Sequence, residues 1–277
     1  MKIQYIHTIK AWLPIAILII CFAALYQHVI IKMVQDWLGD DNYGHGFMIP
    51  FITAYFIWQR KDDFSKLQVN PANTGIVILF SGLLILFVGT IGAELFMMRF
   101  SMLIVIYGLI IFLKGVEFGK ITLAPVAYLI FMIPLPAIIW NKIAFPLKLF
   151  ATKMAVNTIK LVQIPAYREG NIIHLSNTTL QVVDACSGMR SLVSLLALSA
   201  AFALAAGYSK IKKLALFLSA VPIAILLNIA RLAFTALLTQ YFNPQITQGF
   251  LHELSGIFVF VFAIPCLYFL HKLICKF

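Results

Sequence analysis

Residues 212–238 read KKLALFLSAVPIAILLNIARLAFTALL. Two lysines open the run, and the next charge is Arg231, 18 residues beyond Lys213. At about 1.5 Å per residue, a helix carries that arginine roughly 27 Å from the lysine pair. The apolar core of a bilayer is roughly 30 Å thick. The stretch therefore predicts a membrane-crossing helix with Arg231 near its far boundary. A guanidinium at that place is expensive in lipid, so it faces protein or water and has a partner or a task.

The rest of the chain has the same character. Of 277 residues, 62% are hydrophobic and only 11% charged, with a mean hydropathy of +0.97. So little charge cannot cover a water-soluble domain. The expected fold is an all-α polytopic membrane protein, one integral-membrane domain over residues 1–277. About eight spans are expected, near 11–31, 45–59, 74–92, 96–113, 121–139, 186–208, 214–240 and 250–271. The second is short and has an alternative start at Val34. A brief polar break around Glu94 and Arg99 separates the third from the fourth. The net charge of +11 comes from lysines and arginines flanking the spans, and nucleic acid is not an expected partner. The bilayer is. The first apolar run follows Lys10 and has no A-x-A site, so it reads as a span rather than a cleaved signal.

Counting loops alternately from the inside collects Lys2, Lys10, Arg60, Lys61, Lys66, Lys114, Lys120, Lys210, Lys212, Lys213, Lys272 and Lys276 on one side. This positive-inside pattern predicts both termini in the cytoplasm of a multi-pass cell (inner) membrane protein. Segment 140–185, with five spaced basic residues, is placed outside. Its first part reads as an amphipathic helix in the outer interface, interrupted near Pro146. Its second part, NIIHLSNTTLQVVDA, reads as a β-hairpin about a Ser-Asn turn.

Depth can be counted on two other helices. Cys186 lies 24 residues before Lys210, and His252 lies 20 residues before Lys272. Those separations are roughly 36 Å and 30 Å of helix. A cysteine, an arginine and a histidine from three helices thus reach one outer level. Each alone has an ordinary reading: packing for the cysteine, an interfacial position for the histidine, an ion pair with Asp184 or Glu253 for Arg231. Together they fit nucleophilic catalysis. A helix N-terminus favours the Cys186 thiolate, and Arg190, four residues on, lies on the same face. His252 can serve as acid and base. Arg231 can stabilise an oxyanion, with Asn228 one turn earlier as a supporting donor. Asp184 is a weak candidate for orienting His252. Cys21, Cys266 and Cys275 lie in or at the ends of apolar runs without CxxC spacing and read as packing. No cofactor or metal is expected, because HExxH and clustered ligands are lacking.

DACSGMRSL, NIARLAFTALL and HELSG resemble the Cys, Arg and His motifs of the exosortase/archaeosortase family. YGHGFMIPFITAYFIWQR, FMIPLP and REGNIIHL with LQVVDACSG are similar to three further family segments. The resemblance runs from about Tyr43 to Gly256. It implies a membrane cysteine transpeptidase or protease that cleaves C-terminal sorting signals of exported, membrane-anchored proteins. Such signals join a short motif, a membrane helix and a basic tail. Carried over, Cys186 is the nucleophile, Arg231 the transition-state stabiliser and His252 the acid/base. His45 matches the family's His-Gly motif, where a helix-entry turn is as good a reading as catalysis. The acceptor that releases the acyl chain is not implied. The competing reading is a polytopic transporter or polysaccharide-export component in which Arg231 binds substrate or pairs structurally. Such carriers usually need acidic residues within their spans, and here Glu94 alone stands near one.

Overall fold

The computed structural model describes residues 2–176, 178–183, 187–207, 209–241 and 250–276; residues 2–12, 15, 241, 250–258 and 274–276 are described as backbone only. The chain is helical almost throughout. A long helix α1 (Lys2–Gly39) leads through a 3-10 turn (Gly44–Phe47) into α2 (Met48–Gln59) and the short α3 (Lys61–Ser65). An antiparallel pair follows, α4 (Thr74–Ile91) and α5 (Leu95–Lys114). Then come α6 (Val116–Tyr128), a 3-10 turn (Leu129–Met132) and α7 (Ala137–Leu161). Three short strands separate α7 from α8 (Met189–Ala205), α9 (Lys210–Tyr241) and α10 (Phe250–Lys276).

α4 shows in which solvent this fold lives. Its buried residues are Gly75, Gly82 and Gly89, one every two turns. Its large side chains Val77, Phe80, Leu84, Phe87 and Ile91 point outward and are exposed. A water-soluble helix buries the large residues and exposes the polar ones. Between helices in lipid, small residues let backbones approach, and bulky apolar ones face the chains. Gly108 of α5 answers from the other side: a Cβ there would stand 2.6 Å from the backbone nitrogen of Leu79.

Among the described residues, four helices are long and apolar enough to cross a membrane: Ala16–Gly39, Thr74–Ile91, Leu95–Lys114 and Lys210–Gln240. Residues 116–132 and 137–161 make a pair bent by 77°, a fifth if taken as one span. α8 and residues 259–273 of α10 are shorter apolar helices. The membrane class expected from the sequence holds, with four to five such spans where about eight were expected. α1 runs unbroken to Gly39, so Val34 and the charges of Lys32 and Asp36 belong to a helix and not to a loop.

The Pro134-Leu135-Pro136 break follows from proline chemistry. Residue 133 is extended (φ −88°, ψ 118°) ahead of Pro134, as the residue before a proline prefers. Pro136 then sits as the N-cap of α7, where its missing N–H is no loss. α7 continues through Pro146, contrary to the interruption expected there. Pro146 is on the exposed face, so the carbonyl it leaves unpaired at Lys142 meets solvent. The buried face of α7 is mostly small, with Ala144, Ala151, Thr152 and Ala155, joined by Val156 and Ile159. Its lysines and Phe145 and Leu161 face out. The expected amphipathic helix is present.

The sheet has the order β1-β2-β3: Ala166–Glu169, Ile172–Leu175 and Thr179–Gln181, antiparallel throughout. The expected hairpin is its β2–β3 half. Gly170 at φ 59° makes the turn that adds β1. Ile173, Leu180 and Val182 pack with Ala151, Ala155 and Ile159 of α7 and with Leu232, Ala233 and Ala236 of α9. A second core joins α1, α2, α5 and the two 3-10 turns around Tyr26, Trp37, Met102 and Met132. A third joins α7, α8, α9 and α10 around Leu195, Ala220, Ala224 and Ala263.

Gly108→Ala is expected to lower stability by about 1–3 kcal/mol, since a Cβ must push two backbones apart. Thermal unfolding in detergent micelles reads this. Gly207→Ala, where nothing lies within 4 Å, is the matched control and should leave the midpoint in place.

Candidate functional site

The three helices predicted to carry the chemistry pack together in the third core. Met189, Leu192 and Leu195 of α8 meet Ala220 and Ala224 of α9, and Ala263 and Leu267 of α10 join them. The start of α8 is built with care. Gly188 is its N-cap and lies in the left-handed region, φ 85° and ψ −1°. A Cβ there would stand 2.7 Å from Cγ and Nδ2 of Asn228. Two independent constraints therefore require glycine: the backbone conformation and the side chain pressed against it. Ser187 is fully buried, and its Oγ accepts the Met189 N–H at 3.2 Å. Ser191 Oγ donates to the Gly188 carbonyl at 2.9 Å.

Asn228 is 1% exposed on α9. Arg231 follows three residues later on nearly the same face and is half-buried. The structure thus brings the α8 start, Asn228 and the Arg231 turn of α9 into one neighbourhood. Asp184 and Cys186 lie outside the described residues, two to four positions ahead of Gly188. His252 falls in the first turn of α10, where only the backbone is described.

Arg190 and His45 acquire partners that the sequence did not name. The Arg190 guanidinium reaches Asp41 at 3.2 Å, and its Nε donates to Asn42 Oδ1 at 3.4 Å. It turns toward the loop after α1. His45 sits in the 3-10 turn Gly44–Phe47. Its Nε2 is 3.2 Å from the Phe131 carbonyl, and its Nδ1 is 3.3 Å from Ser194 Oγ. A carbonyl only accepts, so Nε2 carries a proton toward Phe131, while Nδ1 pairs with the serine hydroxyl. Beside it, Gly46 lies flat under the indole of Trp37, where a Cβ would collide with the ring. Trp37 Nε1 donates to the Met132 carbonyl at 2.8 Å.

Next to this loop lies a cavity of about 680 Å³. Arg99 on its wall is 2% exposed and paired with Asp36, which also meets Lys32 at 3.7 Å. Arg99 stands inside the second turn of α5. Glu94 forms the cap before it, accepting the Met97 N–H at 2.8 Å. The polar break expected around both residues is therefore only Glu94. Tyr43 and Trp140 pack on the cavity's other side, ring centroids 5.3 Å apart. Burial, with Asp40 nearby, pushes the Tyr43 hydroxyl up to about 12, so it stays protonated across physiological pH. Sequence reasoning missed the Asp36–Arg99 pair. The available signal was an arginine within an apolar run, which demands a carboxylate partner.

A family model described as transmembrane exosortase matches residues 37–269. The match spans Trp37, the loop with His45, the Pro-Leu-Pro break, the α8 start, α9 and α10 as far as residue 269. No curated protein and no solved structure matches the chain.

Gly188→Ala is expected to cost about 1–2 kcal/mol from the left-handed backbone alone, and more from the collision with Asn228. Adding Asn228→Ala removes the collision and leaves the backbone strain. The double variant should therefore melt above the sum of the two single losses. Thermal unfolding of the four proteins checks this as a double-mutant cycle.

Proposed function

The chain belongs to the transmembrane exosortase family, a family of membrane transpeptidases and proteases, and from that premise we propose that it cleaves C-terminal sorting signals of exported proteins through a thioester on Cys186. The observation that carries the reading is the glycine-capped start of α8 held against Asn228 of α9. It sets the segment after Cys186 beside the helix that bears Arg231. In this reading the site opens on the extracytoplasmic face and both termini are cytoplasmic, as the lysine collars suggest.

The steps balance as follows. The Cys186 thiolate adds its electron pair to the scissile carbonyl carbon, and the carbonyl oxygen becomes an oxyanion. Arg231 and the Asn228 amide donate hydrogen bonds to it. The C–N bond then breaks, and the departing nitrogen takes a proton from His252. A thioester remains on Cys186 and the membrane-helix tail leaves as a free amine. Water or another nucleophile gives its proton to His252, attacks the thioester and releases the thiolate. Arg190 and His45 are assigned no step; their contacts tie them to Asp41, Asn42, Phe131 and Ser194.

Cys186→Ala and Cys186→Ser are expected to abolish cleavage of a sorting-signal reporter while the protein stays folded in the membrane. Wild type should yield a hydroxylamine-sensitive adduct on Cys186, read by mass spectrometry. Normal processing by Cys186→Ala would reject the mechanism. Arg231→Lys should lose roughly a hundredfold in kcat, because removing a planar donor from an oxyanion site costs about that much. Unchanged kcat there would leave Arg231 a structural charge.

A further inference from the structure

Cys186 stands just ahead of α8, so its place depends on how the first turns of that helix are held. We propose that residues 40–47 form a clamp that positions the nucleophile end of α8, with His45 and Arg190 as its two positioning residues. The proposal rests on the cysteine-nucleophile reading above.

Four observations carry it. First, Arg190 and Ser194 are one turn apart on one face of α8, and both reach the same loop, to Asp41 and Asn42 and to His45 respectively. Two contacts at that spacing fix both the rotation and the height of the helix. Second, the loop is itself anchored. His45 Nε2 donates to Phe131 and Trp37 Nε1 donates to Met132, both carbonyls belonging to the 3-10 turn that ends α6. The clamp therefore links α8 to the ends of α1 and α6. Third, Gly188 presses on Asn228 of α9. The start of α8 is held by the loop on one side and by α9 on another.

Fourth, the bonding gives both residues a holding role. His45 is held at both ring nitrogens, Nε2 donating to the Phe131 carbonyl and Nδ1 paired with Ser194 Oγ. The Arg190 charge is answered by the Asp41 carboxylate. The role proposed for Arg190 is to set where α8 sits. Each contact is long or partly exposed, so the clamp is a guide and not a lock.

The test uses the full chain in nanodiscs and two readouts. One is the pH profile of Cys186 alkylation by iodoacetamide, followed on the Cys186 peptide by mass spectrometry. The other is kcat and KM on a sorting-signal reporter. Arg190→Asp and Asp41→Arg should each lower kcat by roughly ten- to a hundredfold, as for a misplaced reacting group. KM should stay within about twofold, as when only a transition-state contact is lost. The double variant Arg190→Asp/Asp41→Arg, which restores the pair with reversed charge, should regain most of both kcat and the alkylation rate. The alkylation midpoint should not move in any of them. His45→Gln, which keeps a donor for Phe131, should retain more activity than His45→Ala. Loss of one limb of its kcat profile would make His45 an acid or base instead. A raised alkylation midpoint in Arg190→Asp that the double variant does not rescue would overturn the clamp, as would single variants that alter nothing. Cys186→Ala run alongside separates the two readings. If it still processes reporter, the thioester mechanism fails, and the alkylation rates alone judge the clamp.

Discussion

The start of α8 depends on one close approach, Gly188 against the side chain of Asn228. Both residues sit where lipid-facing helices rarely place anything polar. The glycine removes a Cβ so that α8 can start in a left-handed cap directly over α9. The asparagine supplies a flat amide that fills the space. Give the glycine a Cβ and either the α8 start or the amide must shift; remove the amide and a space opens beneath the cap. The small residues behind the contact extend the same logic. Ala220 and Ala224 of α9 and Ala263 of α10 are fully buried or nearly so. Helix approach in lipid is set by side-chain size, because water supplies no push between apolar helices.

The second constraint is that polar groups in an apolar surround must find partners inside the protein. Tyr26 meets Ser101 across α1 and α5 at 3.0 Å. Ser199 of α8 donates to the Leu216 carbonyl of α9 at 2.7 Å. Arg99 is buried against Asp36. Breaking such a pair by removing one partner leaves the other charge uncompensated, which typically costs several kcal/mol. These contacts stitch α1 to α5 and α8 to α9, and they fix which faces of the helices meet. Arg99 and Arg190 are thereby explained by structural carboxylates.

Much of this was readable from the sequence, and the failures share a physical cause. Composition gave the membrane class, apolar runs gave the long helices, and the resemblance of motifs such as DACSGMRSL and NIARLAFTALL gave the exosortase family. The amphipathic α7 followed from lysines spaced along an apolar helix. Pro146 misled: α7 carries it on its exposed face, and one sequence does not say which face that is. Lys32 and Asp36 were read as loop residues, because a charged pair at a span's end resembles a connection. In the structure they lie one turn apart on α1, with Asp36 answered by Arg99 from α5, 63 residues away in the chain. Span counting assumed that each apolar run crosses by itself, whereas α2 has only 12 residues and α8 only 17.

The site shows the same division. Local signals named Gly188's neighbourhood, Arg231 and Asn228, since a motif and a helical spacing are properties of neighbouring residues. Partner choice is not local. Arg190 was assigned to the cysteine four residues before it because helical geometry puts them on one face. That argument is sound but incomplete, for a long side chain has a second neighbour set by tertiary packing. Asp41, 149 residues distant, is that neighbour. A carboxylate at hydrogen-bond distance claims a guanidinium more strongly than a thiol that must first ionise. The same holds for His45, whose motif marked it as important without saying why. Its two nitrogens bridge Phe131 and Ser194, and so they tie together the turn before α2, the end of α6 and α8.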